Sequence, residues 1–144
     1  MDSNINKQKN EFLGSGWSFP VTFSAGNHQL SVSKYEANVN ESIHLILMTH
    51  LGERCMNFEF GSGLQQYMFK KMNETLKGEI MDTVYFSLLN NEPRIDVQKV
   101  GVEFPEATIG FVEITVDYLF SLTNTRHNYV FPFYLGEGTN LKSI

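Results

Sequence analysis

Sixteen carboxylates and four histidines are the side chains in this 144-residue chain that could move protons. A glycosidase needs two carboxyl groups about 5 to 9.5 Å apart across a cleft, one of them held protonated by its surroundings. Glu74 and Asp82 have the sequence spacing of some lysozyme pairs. On one helix, however, eight residues at 1.5 Å each set their Cα atoms on the order of 12 Å apart. Glu79 and Asp82 are closer, but they fall on the polar side of an amphipathic helix, where a solvated face is the ordinary explanation. His28, His44, His50 and His127 lack metal-ligand spacing, and Cys55, the single cysteine, has no CxxC partner. No serine sits in a GxSxG setting, and no glycine pattern cradles a phosphate. The residues alone thus suggest no catalytic group, metal or cofactor.

Chemistry of another kind is concentrated at Glu92-Pro93-Arg94. Proline lacks a backbone N–H and pushes its predecessor toward extended geometry, so a helix arriving here stops by about Glu92. Residues two apart in extended chain share a side, so Glu92 and Arg94 are expected to project together from a stiff, exposed corner. The pair is either a solvated ion pair contributing about 0 to 1 kcal/mol or a feature that a partner reads. A second stretch, Tyr129-Val130-Phe131-Pro132-Phe133-Tyr134-Leu135, is apolar on both alternating sets. Pro132 confines it to an edge or an irregular strand. It is either a core strand or a platform to which another chain adds a strand.

The elements that position these residues read as α+β: three helices packed on a largely antiparallel sheet, with an N-terminal hairpin and C-terminal strands. Residues 1–15 are polar and then flexible, a tail before a single domain over 16–135, and 136–144 form a second tail. Phe19, Val21 and Phe23 alternate, as do Leu30 and Val32, around the turn Ala25-Gly26-Asn27-His28. Ser33 and Glu36 have the spacing of a capping box. The helix that follows carries Val39, Ile43, Ile46 and Leu47 as one stripe, and Gly52 suits the left-handed position beyond its end. A brief second helix carries Leu64, Tyr67 and Met68. Asn73 is a plausible N-cap for the third, whose Leu76, Ile80, Val84 and Leu88 keep four-residue steps. Beyond the corner, Arg94 to Phe104 is strand-like with a bulge expected near Gly101. Val112, Ile114, Val116, Tyr118 and Phe120 alternate cleanly.

Composition narrows the partners. Charged residues are 19% of the chain against roughly 25% in an average globular protein, and twelve Phe and six Tyr make it aromatic-rich, which points to surface held in interfaces. A net charge of −5 without a Lys/Arg cluster argues against nucleic acid. No run approaches the roughly eighteen apolar residues of a membrane span. With one cysteine and a polar Met1–Asn10 segment, the chain is expected to be made and kept in the cytosol.

Several stretches, taken in order, resemble the lysozyme-like baseplate wedge family of contractile tails, to which the sheath-initiating wedge protein of T-even phages and its type VI secretion counterpart belong. They are Gly16-Trp17-Ser18-Phe19-Pro20, Glu41 to Leu47, Leu51 to Leu64, Glu92-Pro93-Arg94-Ile95 and Thr123 to Tyr134. Asn57 stands where the family usually has proline, a departure confined to one loop. The resemblance implies a structural subunit of a sixfold-symmetric baseplate, with other wedge subunits and the contractile sheath protein as partners. It implies that Glu92, Pro93 and Arg94 dock on the wedge core, and that Tyr129, Val130, Phe131, Phe133 and Tyr134 present a strand edge on which sheath assembles. It carries no catalytic pair onto this chain; a peptidoglycan-degrading glycosidase is the alternative.

Overall fold

The computed structural model describes residues 11–135. The expected C-terminal tail and most of the expected N-terminal one therefore lie outside the described residues. Two compact units are distinguished, one ending at His44 and the other starting at Leu45.

In the first unit a single 3-10 turn, Glu11–Leu13, buries Leu13. Strand β1 (Ser15–Trp17) pairs antiparallel with β2 (Val32–Lys34), Gly16 opposite Ser33. The expected hairpin is present, but its regular pairing lies outside Phe19–Phe23, which contributes only an isolated bridge from Phe23 to Leu30. Ser24 N still bonds across the tip to the Gln29 carbonyl at 2.9 Å, but Gln29 N turns to the Asn27 side chain, donating to Oδ1 at 3.2 Å, a local bond that competes with the ladder. Helix α1 (Glu36–Met48) follows and runs on past His44 into the second unit, with Val39, Ile43, Ile46 and Leu47 fully buried. Ser33 is not the cap expected of it. It belongs to β2, where its Oγ meets Asn38 Nδ2 at 3.2 Å. That approach needs Gly16, because a Cβ there would stand 2.7 Å from Asn38 Nδ2.

In the second unit, Thr49 to Gly63 forms a loop pinned from beneath. Ser62, wholly buried, donates through Oγ to the Leu47 carbonyl at 2.8 Å and through N to the Thr49 carbonyl at 2.9 Å. Gly52 is left-handed, φ +82°, but serves a turn within this loop rather than the end of α1 at Met48. The expected second helix is only a 3-10 turn, Leu64–Tyr67, so the described residues hold two α-helices, not three. Five residues between Gly63 and the left-handed Phe69 are too few to nucleate an α-helix. Helix α2 (Glu74–Asn91) is capped as its sequence requires, Leu76 N donating to Asn73 Oδ1 at 2.7 Å. It buries Leu76, Ile80, Val84 and Leu88. Each contributes about 2 kcal/mol, against about 1 kcal/mol lost at Gly78 relative to alanine, so the helix runs through the glycine.

Strands β3 (Ile95–Glu106), β4 (Phe111–Phe120) and β5 (Arg126–Tyr134) form an antiparallel sheet in that order, with α2 packed on β3. Val112, Ile114, Val116, Tyr118 and Phe120 of β4 face inward with Phe131 and Phe133 of β5. Besides a register break near its end, between Glu103 and Glu106, the irregularity in β3 falls between Val97 and Lys99, not at Gly101, which stays in register opposite Thr115. The buried positions Ile95, Val97, Val100 and Val102 show why: one extra residue lies between the second and third.

Candidate partner-binding surfaces

The corner begins where α2 ends, with Glu92 N donating to the Leu88 carbonyl at 2.9 Å. Glu92 and Arg94 do lie on one side of Pro93, and they are joined. Arg94 Nε donates to Glu92 Oε1 and Arg94 Nη2 to Glu92 Oε2, both at 2.6 Å, a bidentate charge-assisted pair. The exposure expected of this pair is not found. The Glu92 side chain is 2% exposed and that of Arg94 26%, while Pro93 is exposed. The turn after α2 folds the carboxylate inward, so the guanidinium covers it. The hydrogen bond and the charge of Glu92 hold the Arg94 pKa above its ordinary value, although burial opposes them. The Arg94 carbonyl accepts from Ser121 N and Ser121 Oγ, each at 3.1 Å, clamping the corner to the end of β4.

The five aromatic and aliphatic residues expected at the strand edge are all in β5, but their side chains divide. Phe131 and Phe133 are buried and hold β5 to the core, Tyr129 and Tyr134 are half-buried, and Val130 is 46% exposed. Burial pushes the Tyr129 hydroxyl up to about 12. The backbone carries the edge. Leu135 N donates to the Gly110 carbonyl at 2.8 Å and Phe120 N to the Thr125 carbonyl at 3.2 Å, both on the β4–β5 register. Antiparallel ladders alternate, so the odd-numbered residues of β5 bond β4. The peptide groups of Arg126, Asn128, Val130 and Tyr134, and the carbonyl of Pro132, therefore point away from β4. Among the described residues β5 has β4 as its only strand neighbour. Pro132 is tolerated in mid-strand because the donor it lacks would face outward.

Of the acids weighed as a catalytic pair, Asp82 is exposed, and the other two are held in ion pairs. Glu74 pairs with Lys77 at 3.1 Å and Glu79 with Lys70 at 3.4 Å. Among the described residues no three of His, Cys, Asp or Glu gather as metal ligands would. No described helix is long and apolar enough to cross a membrane. One hollow of about 460 Å³ lies between the Thr49–Gly63 loop and α2, with Glu59, Tyr67, Asp82 and Phe86 in its lining. Sequence reasoning passed over it because it pairs a loop with a helix face, and periodicity finds only the buried face of a helix.

These features define an α+β subunit with a sheet left open along one side and a rigid charged corner. The family model described as "Baseplate wedge protein gp25" matches residues 33–125, and the chain belongs to that family. A crystal structure of a candidate tail lysozyme from Geobacter sulfurreducens is 39% identical and covers 77% of this chain and all of its own, with a TM-score of 0.69. A chain of the postcontracted pyocin R2 baseplate is 26% identical over 70% of this chain and 98% of its own, TM-score 0.55. A chain of the anti-feeding prophage baseplate, in a 6-fold symmetrised reconstruction, shares the fold at 22% identity, covering 90% of this chain and 91% of its own, TM-score 0.65. Comparison with curated protein sequences gives no match. The family resemblance read from the sequence is thus shown, and with it a structural baseplate component in preference to a glycosidase.

Proposed function

We propose that this chain docks on the wedge core of a contractile baseplate through the Glu92-Pro93-Arg94 corner, and that the outer edge of β5 receives a strand of the sheath protein. Six copies stand around the axis of the particle, made in the cytosol and incorporated there, and the role is structural rather than catalytic. Sixfold placement is supported by the symmetry of the anti-feeding prophage baseplate, whose chain shares this fold. In this reading the wedge core meets Pro93 and the outer side of the Arg94 guanidinium, while Glu92 fixes that guanidinium from beneath.

The observation that carries the proposal is the set of peptide groups on Asn128, Val130 and Tyr134 that point away from β4. An incoming strand pairs with such groups at no cost to existing bonds, and the exposed Val130 side chain then contributes to register. Val130→Pro tests it. The substitution removes a donor that β4 does not use, so stability stays within about 1 kcal/mol of the parent. Sheath assembly on reconstituted baseplates is expected to be lost, as read by electron microscopy; full-length sheath on the variant would sink the proposal. Purified chain is expected to leave peptidoglycan intact, and robust turnover abolished by changing one acid would restore the glycosidase.

A further inference from the structure

The hollow beside α2 does not end at Phe86. It continues into a second of about 730 Å³, and the two share Leu51, Glu59, Asn90 and Asn91. The groove thus runs to the last turn of α2, directly before the Glu92 corner. Its apolar walls stand open: Leu51 is 56% exposed, Phe58 69% and Phe86 57%. Its charge is of one sign. Glu59, Glu79 and Asp82 line it, and no lysine or arginine does, although Lys70 reaches Glu79 from outside. The rest of α2 does not explain why large apolar groups stay in water on this side, because its core stripe is already complete at Leu76, Ile80, Val84 and Leu88.

We infer that this groove binds an amphipathic segment of a neighbouring baseplate subunit, one that sets lysine or arginine beside apolar residues. Apolar side chains would fill the space between Phe58 and Phe86, and the cations would meet Glu59 and Asp82. A second copy of this chain is a poor occupant: its own net charge is −5 and it has no basic cluster. A glycan fits less well, because the exposed apolar walls are leucine and phenylalanine and Glu79 is held by Lys70. Continuity with the corner makes groove and corner one docking surface, so the inference rests on the docking role proposed above.

The test uses the full chain and a fluorescein-labelled, 18-residue helical peptide of leucine and lysine, followed by anisotropy. Glu59→Lys with Asp82→Lys is expected to weaken binding at least tenfold, and Phe86→Ser to do the same. An equal charge reversal on the solvent face of the sheet, Glu103→Lys with Glu113→Lys, is expected to leave it unchanged. Both groove variants alter exposed positions, and either one decides the matter where the other misfolds by circular dichroism. The inference is overturned if the peptide fails to bind, if a leucine–glutamate peptide binds equally, or if the sheet-face reversal weakens binding as much as the groove reversal. It is also overturned if an N-acetylglucosamine hexamer takes the groove and is lost with Asp82→Lys. The assay contains no baseplate subunit, so a failed groove and a failed corner give different results: the first appears here, the second only in baseplate incorporation.

Discussion

Removing the guanidinium at the corner by Arg94→Met should destabilise the fold by about 3 kcal/mol, because it takes the cation away from a buried carboxylate. Two charge-assisted bonds of 2.6 Å each end on a carboxylate that is 2% exposed. Breaking a fully buried pair costs about 3 to 5 kcal/mol. The lower end applies here, since Arg94 keeps 26% exposure and water can reach the carboxylate once methionine stands in its place. With a urea dependence of about 1.5 to 2 kcal/mol per molar, the unfolding midpoint falls by about 1.5 to 2 M. Glu92→Gln with Arg94→Met removes the charge as well as its partner and should recover stability to within about 1 kcal/mol of the parent. Urea unfolding followed by circular dichroism reads both. A single variant that loses less than about 1 kcal/mol, or a double variant as unstable as the single, would refute the burial argument. The double variant then serves the docking question, because it is a folded chain without the charged corner. It is expected to be left out of assembled baseplates.

Gly61→Ala should cost more than about 2 kcal/mol in urea unfolding: φ is +114° there and a Cβ would meet the Thr49 carbonyl oxygen at 2.4 Å, a strain no rotamer relieves. Tyr129 supplies a pH dependence. Its folded pKa of about 12 lies above the ordinary 10, so its contribution to stability is whole below pH 10 and lost as pH rises from about 10 to 12. Tyr129→Phe should flatten that alkaline slope, which thermal melts across the range would show. Pro132→Val should raise self-association in sedimentation velocity while leaving the β4–β5 ladder intact; unchanged sedimentation would argue that the β5 edge is not available for pairing.

The residues show how far the sequence could be read. The α2 cap at Asn73, its stripe from Leu76 to Leu88 and the stop at Glu92 were legible because each depends on neighbours within four positions. The alternation of β4 was legible because one face of that strand is wholly buried. What failed depended on distant contacts. Ser33 has a capping spacing, but pairing with Gly16 draws it into β2, and Asn38 takes its hydroxyl. Leu64–Tyr67 shows helical spacing, yet Tyr67 is fixed from outside by the Glu79 carbonyl at 3.1 Å and Thr83 Oγ1 at 2.6 Å, which a single 3-10 turn satisfies. At the corner, the types and adjacency of Glu92 and Arg94 were correct. Their depth was not legible, because it is set by how α2 enters β3.

An edge strand with Val130 and Tyr134 near its middle and end, and no inward lysine, is the kind of edge that invites indiscriminate pairing. Pro132 makes it selective. In any antiparallel self-pairing that spans the strand, both copies bring a proline to the seam, and each leaves a carbonyl opposite it without a donor, a loss of about 1 kcal/mol per site. A strand from another protein meets only one such gap, and can place there a bulge or a residue whose carbonyl turns to water. The remaining peptide groups, from Arg126 to Val130 and at Tyr134, stay usable on either side of the gap. One residue without an N–H thus tilts the edge away from its own copies and toward a foreign strand, which is the bias that the proposed role as a template for sheath requires.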